Sequence, residues 1–315
     1  MAYGFEAKND SGNIIINDTI ENLHFFGKAT RGGSDSNYGD IPGYSGSNDT
    51  LDGRVIHTYT ITCSGTPVAF IKPADYARWH AIVKQSVSST TWTFQVMISG
   101  TSTSNPPDVY CFVNADDVPS SSDTHGMQVF KADGTTKTFD SRKQPLAITG
   151  GGTAVAPSDP TNSGGTPGTS SGHSWNYATN DHDFRSSNRY TAVSDSAADT
   201  STTMFSCPSL AQAVYKRQMH GYKESCGCCG FGCQDHYSTA SWWVMYRSAF
   251  RFRSGNFDAG WTNYAAGFAF SSNYESGGWF GGGGGSYSTG TMPYTAKTIN
   301  LQSNAYILAD SSRYD

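Results

Sequence analysis

Charge is scarce in this chain. Only 15% of its 315 residues are Asp, Glu, Lys or Arg, against about a quarter in an average soluble domain. Helix-favouring residues are scarcer still, with 6 Leu and 4 Glu, both high in the helix-propensity order. A mainly helical fold is not expected. Lys and Arg never cluster, and Arg247, Arg251 and Arg253 are the densest basic group. With a net charge of −5, the chain lacks the basic footprint that nucleic-acid binding needs. No apolar run approaches the ~18 residues of a membrane-spanning helix, so membrane insertion is not expected. The opening Met1-Ala2-Tyr3-Gly4-Phe5-Glu6 lacks the basic-then-apolar pattern of a secretory signal. Synthesis and folding in a cytoplasm are the expectation. Local catalytic signatures such as His-Glu-x-x-His or Gly-Lys-Ser/Thr are missing too. The chain is expected not to be an enzyme, with no catalytic residues.

What is present favours strands. Aromatics make up 13% of the chain, with 18 Tyr and 17 Phe, and there are 35 Gly. Val, Ile, Thr, Tyr, Phe and Trp carry the apolar load, as strands prefer. An all-β protein with long Ser/Thr/Gly/Asn loops follows. Residues 55–62, 68–71, 79–83, 91–98 and 109–113 read as successive strands separated by Gly/Pro/Asn turns, the spacing of a sandwich. Residues 211–215, 241–246, 249–252 and 305–308 are the best later candidates.

One pattern occurs twice. Gly4, Gly12 and Asp18 of the opening segment fall on Gly126, Gly134 and Asp140 of a later one without a gap. Each copy reads as a strand, a polar turn closed by Gly, and a second strand ending in Asp, which is a β-hairpin signature. Two hairpins that open successive segments predict two related β-sandwich-like domains. The expected boundaries are 1–122 and 123–315, with a Gly/Pro/Ser/Thr-rich connector at about 149–173. The stretch 305–308 resembles 109–113, and both precede an Asp-containing polar tail. The second unit therefore reads as the first enlarged by long Gly/Ser-rich insertions.

The repeated hairpin resembles a recurrent N-terminal module of tailed-bacteriophage virion proteins, of the minor tail, tail-fibre and tail-tip type. Tyr3-Gly4-Phe5 with Gly12 and Asp18 fits it. Gly126-Met127-Gln128-Val129-Phe130 with Asp133-Gly134 and Phe139-Asp140-Ser141-Arg142 fits it more closely. The resemblance is confined to these segments; the rest agrees in style, being β-rich, Tyr- and Gly-rich and low in charge. It implies a structural protein of the virion tail, a fibre, tail-tip or baseplate component made in the host cytoplasm. The first unit would dock to the particle, and the second would present loops for host-surface attachment. Implied partners are other virion proteins, further copies of the chain (a trimer is favoured) and a host-surface glycan or protein. A capsid decoration or head-fibre protein is one alternative, and a tail-associated polysaccharide depolymerase is another.

Several residues invite a sharper reading. Cys226, Cys228, Cys229 and Cys233 lie within eight residues, flanked by His220 and His236. Thiolates at such spacing could hold zinc, although zinc ribbons use two separate Cys-x-x-Cys knuckles. Disulfides and free thiols are the rival readings, and no cofactor is otherwise expected. Trp279, Phe280 and Tyr287 flank a glycine block that could form a contact surface with rigid aromatic area, or simply a flexible loop. Trp242, Trp243 and Tyr246 lie on one predicted strand, where neighbours face opposite sides. One Trp should therefore point away from its own core, toward an interface or a carbohydrate. Asp181-His182-Asp183 could bind a metal, and the pair Asp116-Asp117 could flank a glycosidic bond, but loops rich in Asp offer such pairs by chance.

Overall fold

The computed structural model describes residues 6–8, 10, 14–17, 19, 21–35, 48–49, 54–74, 78–99, 105–120, 122–154, 175–176, 181–182, 189–195, 201–207, 212–226, 233–253, 256–274, 295–301 and 304–315. Among the described residues there is no α-helix, and one short 3₁₀ turn, Ala115–Asp117, interrupts the strands. The strands before that turn are β1 (Glu6–Lys8), β2 (Ile14–Asn17), β3 (Leu23–Lys28), β4 (Thr30–Asp35), β5 (Asn48–Asp49), β6 (Arg54–Thr62), β7 (Val68–Lys72), β8 (His80–Ser88), β9 (Thr91–Ser99) and β10 (Asp108–Asn114). After it come β11 (Gln128–Phe130), β12 (Lys137–Asp140), β13 (Ile148–Ala154), β14 (Trp175–Asn176), β15 (Asp181–His182), β16 (Arg189–Asp195) and β17 (Thr203–Ser206). The last are β18 (Gln212–Cys226), β19 (Cys233–Arg253), β20 (Asn256–Tyr274), β21 (Thr295–Leu301) and β22 (Asn304–Asp310).

Two antiparallel sheets dominate. One has six strands in the order β13-β22-β17-β7-β10-β3. The other runs β16-β20-β19-β8-β9-β6-β4, with β18 beside β19, β21 beside β18 and β5 beside β20. The sheets face each other across one apolar core. Ala69, Ile71, Val109, Cys111, Phe205 and Leu308 enter it from the six-stranded sheet, and Tyr59, Ile82, Phe94, Val96, Phe250, Phe252 and Phe257 from the larger one. The fold is an all-β sandwich, as the composition implies.

The run Val109–Val113 has no polar alternation because both faces of β10 are covered. Val109 and Cys111 face the sandwich core, whereas Tyr110 and Phe112 join Phe70, Met204, Ala309 and Tyr314 in a second cluster on the far face. Leu23, Phe25 and Leu146 pack against that second cluster.

Apart from β5, which pairs with β20, strands from either side of residue 122 form contiguous blocks in both sheets. In the six-stranded sheet β3, β10 and β7 form one block, and β13, β22 and β17 the other. The order matches: the earliest strand lies outermost, the latest in the middle, and the third at the seam. The likeness of 305–308 to 109–113 thus corresponds to β22 and β10 holding equivalent places. In the larger sheet the hairpins β8–β9 and β19–β20 meet at the seam. Where the blocks adjoin, both seams are narrow, joined at Phe205↔Ile71 and at Phe250↔His80; β5 adds Asp49↔Ala266 and Asn48↔Gly267.

Both copies of the repeated motif are antiparallel hairpins, β1–β2 and β11–β12. Each carries a register irregularity at the equivalent place, between Ala7 and Lys8 and between Val129 and Phe130. In the second copy Gly134 has φ +71°, a left-handed conformation that costs glycine nothing. Asp133 supports this turn by accepting from the amides of Thr135 and Thr136, both at 2.8 Å, and from the Thr136 hydroxyl at 2.6 Å. These three donors hold the Asp133 carboxyl well below the usual carboxylate range.

Two expectations need revision. Residues 148–154 are not connector but strand β13, paired with β22. Its glycines are read from sequence as low complexity, yet a Cβ at Gly151 would stand 2.8 Å from the Tyr306 carbonyl and one at Gly152 2.7 Å from the Tyr306 hydroxyl. Close approach of β22 requires them. Stretches 241–246 and 249–252 are likewise not two strands but parts of one, β19, of 21 residues.

Candidate functional site

The second half includes a ribbon of long strands. β18 has 15 residues, β19 has 21 and β20 has 19, against 9 in each of β6, β8 and β9. The ladder runs β21-β18-β19-β20. Counted from the seam residue Phe250, β19 continues to Cys233, a span of about 56 Å at roughly 3.3 Å per residue.

Several of the expected site residues lie on this ribbon. Trp242 is in register with Arg217 and Phe268, and Trp243 with Lys216 and Gly267. Strand alternation puts positions 242 and 243 on opposite faces of the ladder. Position 242 shares a face with Tyr246 and Phe250, both of which are buried. Tyr246 is therefore part of the packed interior and not an exposed contact, because it sits where the ribbon enters the sandwich. Cys226 and Cys233 are directly opposed at the end of the β18–β19 ladder. Cys228, Cys229, Trp279, Phe280 and Tyr287 lie outside the described residues. The structure thus brings Cys226 to Cys233 and Trp242 to the face of Tyr246.

The other cysteines belong to the core. Cys63, Cys111 and Cys207 are buried and take part in no disulfide. Burial pushes the Cys111 thiol up to about 12, with a smaller push from Cys63, so it stays protonated and unreactive at neutral pH.

The carboxylates weighed as catalytic have structural partners. Asp116 accepts from the Lys137 amide at 2.9 Å and lies 3.4 Å from the Lys137 ammonium. Asp117 packs over Gly65, where a Cβ would stand 2.2 Å from its Oδ2. Asp181 and His182 form β15, paired with Trp175 and Asn176. Among the described residues no group of three or more His, Cys, Asp or Glu side chains is arranged to hold a metal.

Three polar nodes escaped the sequence reading. The first centres on Asp140, the buried Asp that closes the second hairpin. It accepts a fork from Arg142, at 2.9 Å from Nε and 2.7 Å from Nη2, and a third bond from Gln128 at 2.7 Å. The Arg142 bonds, added to by Gln128, hold its carboxyl well below the usual range despite burial. The node docks the second hairpin onto the chain that follows the first. The Asn22 amide donates to the Thr138 carbonyl at 2.8 Å, the Asp140 amide donates to His24 Nε2 at 3.3 Å, and Lys131 pairs with Glu21. Buried Lys143 donates to the carbonyls of Ala115 and Val118, at 2.6 and 2.7 Å. The repeated Asp was visible in sequence, but its partner Arg142 has no counterpart in the first copy, where Glu21 follows Asp18-Thr19-Ile20.

The second node engages two of the three arginines in the densest basic group, Arg251 and Arg253. Asp258 is fully buried and stands opposite Arg251 in the β19–β20 hairpin. It accepts from Arg251 Nε at 3.0 Å, from Arg253 Nη2 at 2.9 Å and from the Ser194 hydroxyl at 2.9 Å. Burial pushes the Asp258 carboxyl up, but the bonds from Arg253, Arg251 and Ser194 together outweigh it and leave it below the ordinary value. Arg251 also lies over the Trp79 ring, 4.9 Å from its centroid, and so reaches across the seam. The pattern Arg-x-Arg, turn, Asp is the signal that could have found this charged hairpin pair.

The third node ties residues 314 and 315 to the other half. Asp315 pairs with Lys28 at 2.8 Å and Lys72 at 2.6 Å and accepts from the Tyr110 hydroxyl. Tyr314 packs on Phe25 and Phe112 with ring centroids 5.1 and 5.0 Å away. Burial, reinforced by the Asp315 contact, pushes the Tyr110 hydroxyl up to about 12. No sequence signal marks these partners, which lie far away along the chain.

No family model matches the chain, and no curated protein or solved structure matches it. Among the described residues no helix is long and apolar enough to cross a membrane.

Proposed function

We propose that this protein is a structural component of a bacteriophage tail, belonging to a fibre, tail tip or baseplate, and that it works by assembly and attachment to the host surface without catalysis. The observation that carries this reading is the division of labour along the chain. A sandwich made of both halves supplies a rigid base, and a ribbon with strands of up to 21 residues extends one of its sheets. A long ribbon offers extended contact area to neighbouring subunits or to a surface. The resemblance of both hairpins to a tail-protein module supports the same reading. So does the lack of charge, because permanent interfaces favour aromatic over charged residues. Trimerisation would multiply weak contacts made by Trp279, Phe280 and Tyr287.

Immunogold labelling of intact particles tests this. Label on the tail is expected, together with binding of fluorescent protein to host cells. Label confined to heads would replace the tail reading with a capsid decoration role. Release of reducing sugar from host polysaccharide would replace it with a depolymerase.

A further inference from the structure

Cys226 and Cys233 lie on the ribbon, apart from the three buried cysteines of the core, and the register of the ladder places them together. β18 and β19 pair without a slip from Gln212↔Arg247 to Cys226↔Cys233. Among the described residues, their third-strand support ends earlier. β21 accompanies β18 only as far as Gln218, and β20 accompanies β19 only as far as His236. Beyond that point the described ladder is two-stranded, comprising Glu224↔Asp235, Ser225↔Gln234 and Cys226↔Cys233. A two-stranded hairpin is marginal in water by itself. Here it also carries two acidic residues directly opposite each other, Glu224 and Asp235, an arrangement that destabilises pairing. Something must hold this tip in register.

We propose that Cys226 and Cys233 form a cross-strand disulfide that staples the tip of the ribbon. Directly opposed residues of an antiparallel ladder have Cα atoms roughly 4.5–5.5 Å apart, inside the window of about 4.4–6.8 Å that disulfides occupy. The bond forms by exchange with a small disulfide such as oxidised glutathione. One cysteine thiolate attacks a glutathione sulfur and releases the first glutathione as thiol. The second thiolate then displaces the other glutathione from the mixed disulfide. The two protein thiols lose two electrons and two protons, and the glutathione disulfide is reduced to two thiols. Zinc is the weaker reading for this set. Cys233 and His236 are three positions apart on β19, so alternation puts them on opposite faces of the ladder. The buried Cys63, Cys111 and Cys207 take no part, since exchange requires an accessible thiolate.

The test uses the full-length protein as a Cys228→Ser/Cys229→Ser variant, equilibrated with oxidised glutathione, alkylated, denatured without reductant and digested with chymotrypsin. Cleavage after Phe231 separates the segment holding Cys226 from the one holding Cys233. The expected mass spectrum shows the two segments joined before reduction and separate after it. Two alkylated segments, found separate before reduction, would overturn the proposal. A second measurement uses the unaltered chain. Hydrogen exchange at the amides of Glu224, Ser225, Gln234 and Asp235 is expected to accelerate at least tenfold on reduction. Exchange unchanged by reduction would remove the staple role, and zinc retained at one ion per chain with all four thiols unbridged would replace the disulfide with a metal site.

Discussion

Phe205 and Phe250 pack in a tilted pair across the sandwich, with ring centroids 4.3 Å apart and planes inclined by 33°. Each also occupies a seam position, Phe205 opposite Ile71 and Phe250 opposite His80. One contact therefore joins the two sheets at the place where the two halves of the chain meet in each.

Replacing Phe205 with Ala is expected to cost about 3–5 kcal/mol, the range for losing a buried aromatic. Because the seams are single ladder pairs, the loss should also weaken coupling between the halves. Urea unfolding followed by circular dichroism and by Trp fluorescence would check this. One cooperative transition is expected in the parent protein and non-coincident transitions in the variant.

Gly126 leaves room for the Arg142 side chain, whose Cγ would lie 2.3 Å from a Cβ at that position. Gly126→Ala should displace Arg142 and break its fork onto buried Asp140, at a cost on the order of 2 kcal/mol. Combined with Arg142→Ala, the same change should cost much less. A double-mutant cycle measured by chemical denaturation separates the two; additive costs would show that Gly126 acts through something other than Arg142.

Asp258→Ala would leave the Arg251 guanidinium partly buried without its carboxylate. Such one-sided losses cost about 3–5 kcal/mol when fully buried, and the partial exposure of Arg251 (21%) and Arg253 (47%) reduces that. Roughly 2–3 kcal/mol is expected, read as a lowered urea midpoint. Arg253→Ala, which leaves Asp258 its Arg251 fork, should cost less.

Acid should destabilise the protein through its buried histidines. His80 is fully buried, which lowers its pKa to about 4, and its Nε2 has no hydrogen-bond partner among the described residues. Burial lowers His24 and His57 as well. Unfolded histidines take up protons near pH 6.5, while the folded His80 resists. Stability is therefore fully present above about pH 6.5 and falls as pH drops toward about 4, with a ceiling near 3 kcal/mol from His80. Denaturation midpoints at about pH 7.5 and about pH 5 measure the slope. His80→Gln should flatten it, and a pH-independent midpoint in the parent protein would contradict burial as the controlling effect.

The chain's own composition determined the β fold. Few Leu and Glu leave helices short of two good formers, and many β-branched and aromatic residues give strands theirs. The Asp133-Gly134 turn was also legible, because only local geometry decides it. The repeat was legible as two hairpins, and the likeness between 305–308 and 109–113 anticipated the matching places of β22 and β10. Other features had no local signal. Nothing near Asp258 in sequence announces Trp79 as the neighbour of its Arg partner, and nothing near Asp315 announces Lys28 and Lys72. Glycines 150–152 read as connector until Tyr306 is laid against them. Local propensity and alternation fix which residues can pair. Which distant strands do pair depends on closing long loops and on burying apolar faces together, and only the tertiary structure decided that.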